Sequence, residues 1–197
     1  ENIYDGEYKL KKYLLNISVL IFLLIFQLTI AMFFPALNLI PDFILIYVVI
    51  RAVIYGAKDA MIYGAVGGLL QDVFITSFIG LFTPVKTAVA FLAALLSGRF
   101  FPENLLIPPL AVFLATIVHE LVYLMLKENY LFAANYLTLI KEIILPMAAL
   151  NALITFFVYL ILLKEIILPL AALNSLITFF VYLIYFFWGR RDLSGQT

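Results

Sequence analysis

The sequence predicts an all-α integral membrane fold: a six-helix transmembrane bundle with one surplus hydrophobic copy of the last helix. Of the 197 residues, 66% are hydrophobic and 12% are charged, whereas a soluble domain is about half apolar and about a quarter charged. Apolar stretches approaching the roughly 20 residues that cross a bilayer also recur along the whole chain. These two observations exclude a soluble fold.

The charge and cysteine counts narrow the classes of function. Twelve Lys and Arg residues balance twelve Asp and Glu residues, so no bulk positive charge is available to bind nucleic acid. The chain has no cysteine and one histidine, which excludes disulfides and thiolate metal sites. The sequence also lacks GxGxxG, Walker and GxSxG motifs, so no catalytic, metal or cofactor-binding residue is predicted.

Seven apolar segments run along the chain, and six of them are expected to form the transmembrane bundle. The second follows Pro41-Asp42 and contains Arg51, and the fifth begins through Pro108-Pro109, which suits a first helical turn. An amphipathic connector at 127–140 precedes the sixth segment. The predicted limits of the seven segments are 13–34, 43–55, 59–79, 85–100, 104–126, 141–163 and 164–188.

The basic residues predict the orientation. Lys9, Lys11 and Lys12 precede the first span, and Arg190 and Arg191 follow the last apolar stretch. Because basic residues concentrate on the cytoplasmic side, both termini are predicted to be cytoplasmic, which requires an even number of spans. The predicted organisation is a cytoplasmic tail at 1–12, one transmembrane domain at 13–188 and a cytoplasmic tail at 189–197.

Two consecutive segments near the C-terminus are almost identical. Residues 141–163, the first repeat, match residues 164–186, the second repeat, at 19 of 23 positions. Transporter repeats are whole helical bundles of weak similarity, so this pattern is typical of a recent duplication of one helix or of a sequence error. The join holds no turn residue. We expect one repeat to complete the six-span bundle and the other to be surplus, and the sequence leaves open which.

A face of small residues leads to a carboxylate in the third span. Because they are spaced by four, Ala60, Gly64, Gly68 and Asp72 share one helix face. Small residues on such a face let a neighbouring helix approach closely in a membrane. The fourth span offers a matching face, made of Ala90, Ala94 and Gly98.

Asp72 has two interpretations. As an intramembrane charge it is a candidate proton or ion relay, but no second membrane carboxylate lies near it in the sequence. We favour a buried hydrogen-bond acceptor that binds Lys86 or the hydroxyls of Thr76 and Thr87. A bridge from Arg51 to Asp72 is disfavoured because the two residues are predicted to lie at different depths, and Arg51 is assigned to the cytoplasmic interface.

The remaining polar residues of the spans also favour structural roles. The sequence around His119-Glu120 lacks the second histidine of the HExxH motif, so a zincin metalloprotease is excluded. A hydrogen-bonded pair that faces the bundle is favoured over ligand or proton handling. In each repeat a proline and an asparagine interrupt an apolar helix, and such an asparagine usually bonds a neighbouring helix. These residues are Pro146 and Asn151, then Pro169 and Asn174.

An ordered set of motifs resembles the MreD family of rod shape-determining membrane proteins. The set comprises PDFILIYVVIRAVIYG at 41–56, YGAVGGLLQDVF at 63–74, the Gly80-Leu81 turn, and ILPMAALNALITFFVYL or its copy. The family positions that carry over are Pro41, Asp42, Gly64, Gly68, Asp72 and Gly80, with Pro146 and Asn151 or Pro169 and Asn174.

This resemblance implies a non-enzymatic scaffold without a cofactor in the bacterial inner membrane. It implies direct binding of MreC through helix packing, and work near MreB, RodA and a class B penicillin-binding protein in the elongation machinery that makes peptidoglycan and maintains rod shape. The alternative is the substrate-binding S component of a vitamin importer, which is similar in architecture. That alternative needs a polar pocket near the outer face. Few polar residues are available to form one: His119, Glu120, Lys127 and Asn135.

Overall fold

A computed structural model describes residues 3–33, 39–76, 80–97, 104–126 and 136–162. Of these residues, 92% are helical and none forms a strand, so the prediction of an all-α fold is confirmed. The chain divides into two compact units, residues 1–157 and residues 158–197. The described part of the second unit is the C-terminal end of the last helix.

The described residues form six continuous helical segments. The last of them contains a short α-helix, a π-helical turn and a longer α-helix in direct succession. The elements are α1 (Ile3–Phe33), α2 (Phe43–Tyr55), α3 (Ala57–Ile75), α4 (Phe82–Ser97), α5 (Ile107–Leu126), α6 (Tyr136–Leu139), the π-helix Ile140–Ile144 and α7 (Leu145–Leu162).

The predicted limits are right for α2 and differ by two or three residues at the starts of α3, α4 and α5. Residues 77–79 and 98–100, at the ends of the third and fourth predicted spans, lie outside the described residues. The first helix begins earlier than the predicted first span, because residues 3–12 are helical and continue into α1. At 1.5 Å per residue the 31 residues of α1 are about 46 Å long, which exceeds the hydrocarbon thickness of about 30 Å. The basic tail is therefore an extension of the first helix.

Three of the described helices are long and apolar enough to cross a membrane: Gly6–Phe33, Ile107–Met125 and Leu137–Leu162. Two further apolar helices, Phe43–Tyr55 and Phe82–Leu95, are shorter. The 19-residue α3 holds three glycines and three charged side chains, which lower its apolar content. The described residues thus support a membrane protein with six helical segments.

A proline explains the π-helical turn before α7. Pro146 has no N–H to donate to the carbonyl of Glu142. In the turn before it the spacing widens, and the Leu145 N–H donates to the carbonyl of Ile140, as a π-helix requires. The helix therefore runs unbroken from residue 136 to 162, and the predicted boundary at residue 141 is not observed.

The interior of the first unit lies where α3 packs against α1, α2 and α4, and where α2 and α4 meet α5. Apolar side chains such as Leu20, Ile44, Val48 and Val112 fill much of it. Large apolar side chains of α1, including Phe22 and Met32, are exposed, as expected for a lipid-facing helix. The interior also contains an unusual number of polar side chains: Asn16, Asp42, Arg51, Gln71, Asp72, Lys86, Thr116, His119, Asn151 and Thr155.

Candidate functional site

Asp42 is the centre of a buried polar network that joins four helices. As the N-cap of α2 its Oδ1 accepts the Leu45 N–H at 2.9 Å, and the same oxygen accepts Gln71 Nε2 at 3.2 Å. The Lys86 ammonium of α4 donates to Oδ2. The Asp42 N–H donates to Asn151 Oδ1 of α7 at 3.1 Å. We call Asp42, Gln71, Lys86 and Asn151 the Asp42 cluster.

The ion pair of this cluster is buried. The Lys86 side chain is 0% exposed and that of Asp42 is 10% exposed. Burying a charge is unfavourable unless it is paired and hydrogen-bonded. Each charge here has the other, and the carboxylate accepts two further hydrogen bonds. The pair therefore stabilises one arrangement of α2, α3 and α4.

The network continues from Asn151 toward α5. Asn151 Nδ2 donates to Thr116 Oγ1 at 3.2 Å, and the Thr116 hydroxyl donates to the Val112 carbonyl. One turn further along α5, His119 Nδ1 lies 3.2 Å from Glu120 Oε1, and the His119 ring stacks on Phe82 with centroids 5.5 Å apart. Asn151 thus links α7 to both α2 and α5.

Asp72 caps the N-terminus of α4. Its Oδ1 accepts the N–H groups of Leu81 at 3.0 Å and Phe82 at 2.6 Å, while Oδ2 accepts the N–H and hydroxyl of Thr83 at 3.1 and 2.5 Å. The first N–H groups of a helix have no partner within that helix, and a negative charge there is favoured by the helix dipole. The residue is 0% exposed. Its carboxylate is positioned as a structural acceptor.

The partners of Asp72 differ from those expected. Lys86 pairs with Asp42 instead of Asp72, so that part of the prediction is wrong. The Thr76 hydroxyl donates to the Asp72 carbonyl, and the Thr87 hydroxyl donates to the Thr83 carbonyl. The backbone N–H groups of α4 were the missed partners, because sequence spacing does not show where the next helix begins relative to a carboxylate ten residues earlier.

The predicted glycine face packs against α4. A Cβ atom on Gly68 would lie 2.6 Å from Thr83 Cα, and one on Gly64 would lie 2.9 Å from the Lys86 carbonyl oxygen. Contacts this short do not occur for real Cβ atoms. Ala90 is fully buried on the opposing helix, and Ala94 is nearly so. The small-residue face is therefore occupied within the chain.

The other family positions fall at turns and helix ends. Gly80, with φ of +102°, forms the turn before α4, a backbone conformation that favours glycine. Pro41 precedes the N-cap of α2, and Pro146 follows the π-helical turn. Gly98, Pro169 and Asn174 lie outside the described residues.

A second polar cluster joins α1, α2 and α3. Arg51 Nε donates to Asp59 Oδ2 at 2.7 Å, and Nη1 donates to Asn16 Oδ1 at 3.0 Å. The guanidinium carbon lies 4.2 and 4.6 Å from the ring centroids of Tyr55 and Tyr63, distances at which a cation is attracted to an aromatic face. We call these five residues the Arg51 cluster. Arg51 is buried and pairs with Asp59, a partner that the sequence did not predict, and it does not bridge to Asp72.

Sequence reasoning missed three residues of these contacts. Gln71 immediately precedes Asp72, so its amide lies on a different helix face from the glycines and reaches Asp42. Gly67 also lies off that face, and a Cβ there would lie 2.5 Å from Ile44 Cγ2. Asn16 is an isolated amide near the start of an apolar span, and an amide in that position could have indicated a hydrogen bond to a neighbouring helix.

The surface between α4 and α5 carries an apolar groove of about 410 Å³. Small side chains form its floor, and the exposed Leu92, Leu95 and Leu114 flank it. Its full lining is Val89, Leu92, Ala93, Leu95, Ala111, Leu114, Ala115 and Val118. Across the described ranges, no three His, Asp or Glu side chains converge on a point that could hold a metal ion.

The outer faces of the helices are apolar, and the buried charged side chains bond to other groups of the same chain. These features define an α-helical membrane protein whose buried polar side chains hold its helices together. Residues 8–164 match the model of the family described as rod shape-determining protein MreD. The chain therefore belongs to the MreD family and is a rod-shape-related membrane protein. No curated protein and no solved structure matches it. The family match includes the first repeat and ends at the first residue of the second.

Proposed function

We propose that the protein is a non-enzymatic scaffold of the cell-wall elongation machinery that binds MreC through helix packing in the bacterial inner membrane. In this proposal it works beside MreB, RodA and a class B penicillin-binding protein. Six spans with both termini in the cytoplasm form the working bundle. The family supports a role in rod shape, and the particular partners belong to the proposal.

The observation that carries the proposal is a difference between interior and surface: the charged groups lie inside the helix bundle, whereas an open apolar groove lies on its surface. The charged groups of Asp42, Asp72 and Lys86 are bonded to other groups of the same chain, so they serve helix assembly. The groove between α4 and α5 is apolar and has alanines at its floor. In a membrane, helices associate by close packing over small residues, so this groove suits a transmembrane helix of the partner.

The close packing of α3 on α4 bears on where the proposed partner would dock. The small-residue face of Gly64 and Gly68 is not open to a partner, because α4 covers it. Ala93, Ala111 and Ala115 line the open groove instead. We therefore assign the MreC helix to the α4–α5 groove.

Leu114→Trp tests this assignment. Leu114 lines the groove and is 43% exposed, so the larger ring obstructs the groove without entering the interior. The control is Leu153→Trp on α7, where the leucine is 55% exposed and does not line the groove. With co-expressed MreC and quantitative co-purification, Leu114→Trp should lower MreC recovery about tenfold, which corresponds to about 1.4 kcal/mol, while the control retains it.

The outcomes separate the parts of the proposal. Unchanged recovery with Leu114→Trp means that lipid chains fill the groove and that MreC binds elsewhere. No recovery of MreC with the unaltered protein overturns the scaffold function itself. Vitamin binding or uptake that depends on the purified chain would favour the importer alternative.

A further inference from the structure

Three lysines and a tyrosine, all exposed, lie where α1 passes the turn between α2 and α3. Lys12 lies one turn before Asn16 on α1, and its ammonium is 5.5 Å from the ring centroid of Tyr55, the last residue of α2. Lys58 follows three residues after that tyrosine, in the first turn of α3, and Lys11 precedes Lys12 on α1. We call Lys11, Lys12, Tyr55 and Lys58 the Lys12 surface.

The positive charges of this surface are not neutralised by the carboxylates that the structure describes. The Tyr55 ring also contacts the Arg51 guanidinium, but that cation is paired with Asp59. No described carboxylate lies within 4 Å of the ammonium groups of the three lysines. Three charges at this end of the bundle are therefore open to a partner of opposite charge.

The length of α1 places the Lys12 surface at the edge of the hydrocarbon. Residues 13–33 carry no charge and are about 32 Å long at 1.5 Å per residue, which matches the roughly 30 Å of a bilayer core. Lys11 and Lys12 directly precede this stretch, so they lie at the level of the lipid headgroups. The exposed tyrosines near that level are typical of a membrane interface: Tyr8, Tyr13 and Tyr55.

The acidic residues of α1 lie further from the hydrocarbon than these lysines. Glu7 comes one turn before Lys11, about 6 Å further along the helix axis, and Asp5 precedes Glu7. A negative group at the headgroup level therefore meets the lysines before it meets a carboxylate of α1.

We propose that the Lys12 surface binds the headgroup of an anionic phospholipid. Lysine side chains are long and flexible, so those of Lys12 and Lys58, on two helices that meet at Tyr55, can reach one phosphate group. Each basic residue near an anionic lipid surface adds to the attraction, whereas a zwitterionic lipid has no net charge to offer. This proposal does not depend on the binding of MreC.

Lipid retention by the purified full chain tests the proposal. The protein is mixed in detergent with equal amounts of phosphatidylglycerol and phosphatidylcholine and purified again, and the retained lipids are measured by mass spectrometry. We expect the unaltered chain to retain an excess of phosphatidylglycerol. Lys12→Gln/Lys58→Gln should lower that excess about fivefold or more. Lys12→Arg/Lys58→Arg keeps both charges and should retain it.

The matched control is Lys141→Gln. Lys141 is exposed and precedes α7, whose Asn151 bonds Asp42 at the start of α2, whereas Tyr55 ends that helix. The control therefore removes a lysine from the opposite end of the bundle and should leave the excess of phosphatidylglycerol unchanged.

Four results would overturn the proposal. The unaltered chain retains the two lipids equally, the double glutamine variant keeps the full excess, or the control loses as much as that variant. Displacement of phosphatidylglycerol by an equal concentration of inorganic phosphate would show a site for a free anion instead. All three lysines are exposed, so the variants should elute from a sizing column as the unaltered chain does. A double glutamine variant that fails to fold would assign these lysines to folding and would also contradict a lipid site.

Discussion

The Asp42 cluster and the Arg51 cluster each pair one cation with one carboxylate, but they differ in reach and in exposure. Asp42 bonds to Lys86 and Asn151, which lie 44 and 109 residues away along the chain, whereas Arg51 and Asp59 are only eight residues apart. The Lys86 side chain is 0% exposed, and the Asp59 side chain is 22% exposed.

The chemistry of the two cations matches this difference. An ammonium is a compact point charge, whereas a guanidinium is planar and can stack on aromatic rings while it donates at its edge. Arg51 uses both modes, on two tyrosine rings and on two side-chain oxygens. Lys86 depends on one carboxylate, apart from a distant contact with the Phe82 ring at 5.7 Å. The Asp42 cluster therefore joins α2, α3, α4 and α7 around one buried charge pair. The Arg51 cluster fixes the turn between α2 and α3 and joins it to α1.

The largest effect is expected for Lys86→Met, because it leaves the Asp42 carboxylate buried without its counter-ion. Removing one member of a buried pair destabilises a protein by about 3–5 kcal/mol. Thermal unfolding in detergent should show this loss, together with a low folded yield. The double variant Asp42→Asn/Lys86→Met removes both charges and should recover much of the stability. A double variant less stable than Lys86→Met would show that the charges do not compensate each other.

Gly68→Ala should follow, with a loss of about 3 kcal/mol from overpacking. Its Cβ would meet the backbone of Thr83, which cannot rotate away as a side chain can. The matched control is Gly6→Ala in α1, where a Cβ meets no atom within 4 Å. The control should gain slightly, because alanine favours a helix over glycine. Equal unfolding temperatures for the two variants would contradict the close α3–α4 contact, and Gly68→Leu should be more severe still.

Local signals predicted the helices, because apolar length and proline positions depend on the nearby sequence. They predicted the limits of α2 and the face shared by Gly64, Gly68 and Asp72, since a spacing of four fixes a face on any helix. The family motifs also pointed to Asp42 and Asn151. These features are carried by residues close together along the chain.

The pairing of charges could not be predicted in the same way. Lys86 lies 14 residues from Asp72 and 44 from Asp42 in the sequence, yet it bonds the more distant carboxylate. That choice depends on the packing of α2, α3 and α4 around one another, which hydropathy does not specify. Pairs such as Arg51–Asp59 lie within one helix–turn–helix. Only such short-range pairs can be proposed from the sequence.

Two variants of Asp72 distinguish the loss of its hydrogen-bond acceptors from the loss of its charge alone. Asp72→Leu removes the carboxylate that accepts three backbone N–H groups at the start of α4, from Leu81, Phe82 and Thr83, and should cost about 2 kcal/mol. Asp72→Asn retains one acceptor oxygen and should cost about 1 kcal/mol. Denaturation of both variants under the same detergent conditions measures the difference. Equal and complete loss in both would assign Asp72 a role that depends on its charge, as in a relay.

Asp59→Asn should have the smallest effect, at most about 1 kcal/mol, because partly exposed ion pairs contribute little. After the change Arg51 keeps its hydrogen bond to Asn16 and its contacts with the rings of Tyr55 and Tyr63, and the new amide oxygen can still accept from the guanidinium. The unfolding temperature of this variant, measured beside Lys86→Met, tests the comparison directly. If the two losses were equal, exposure and alternative partners would not explain how the clusters differ, and the local pair would be as decisive for assembly as the buried one.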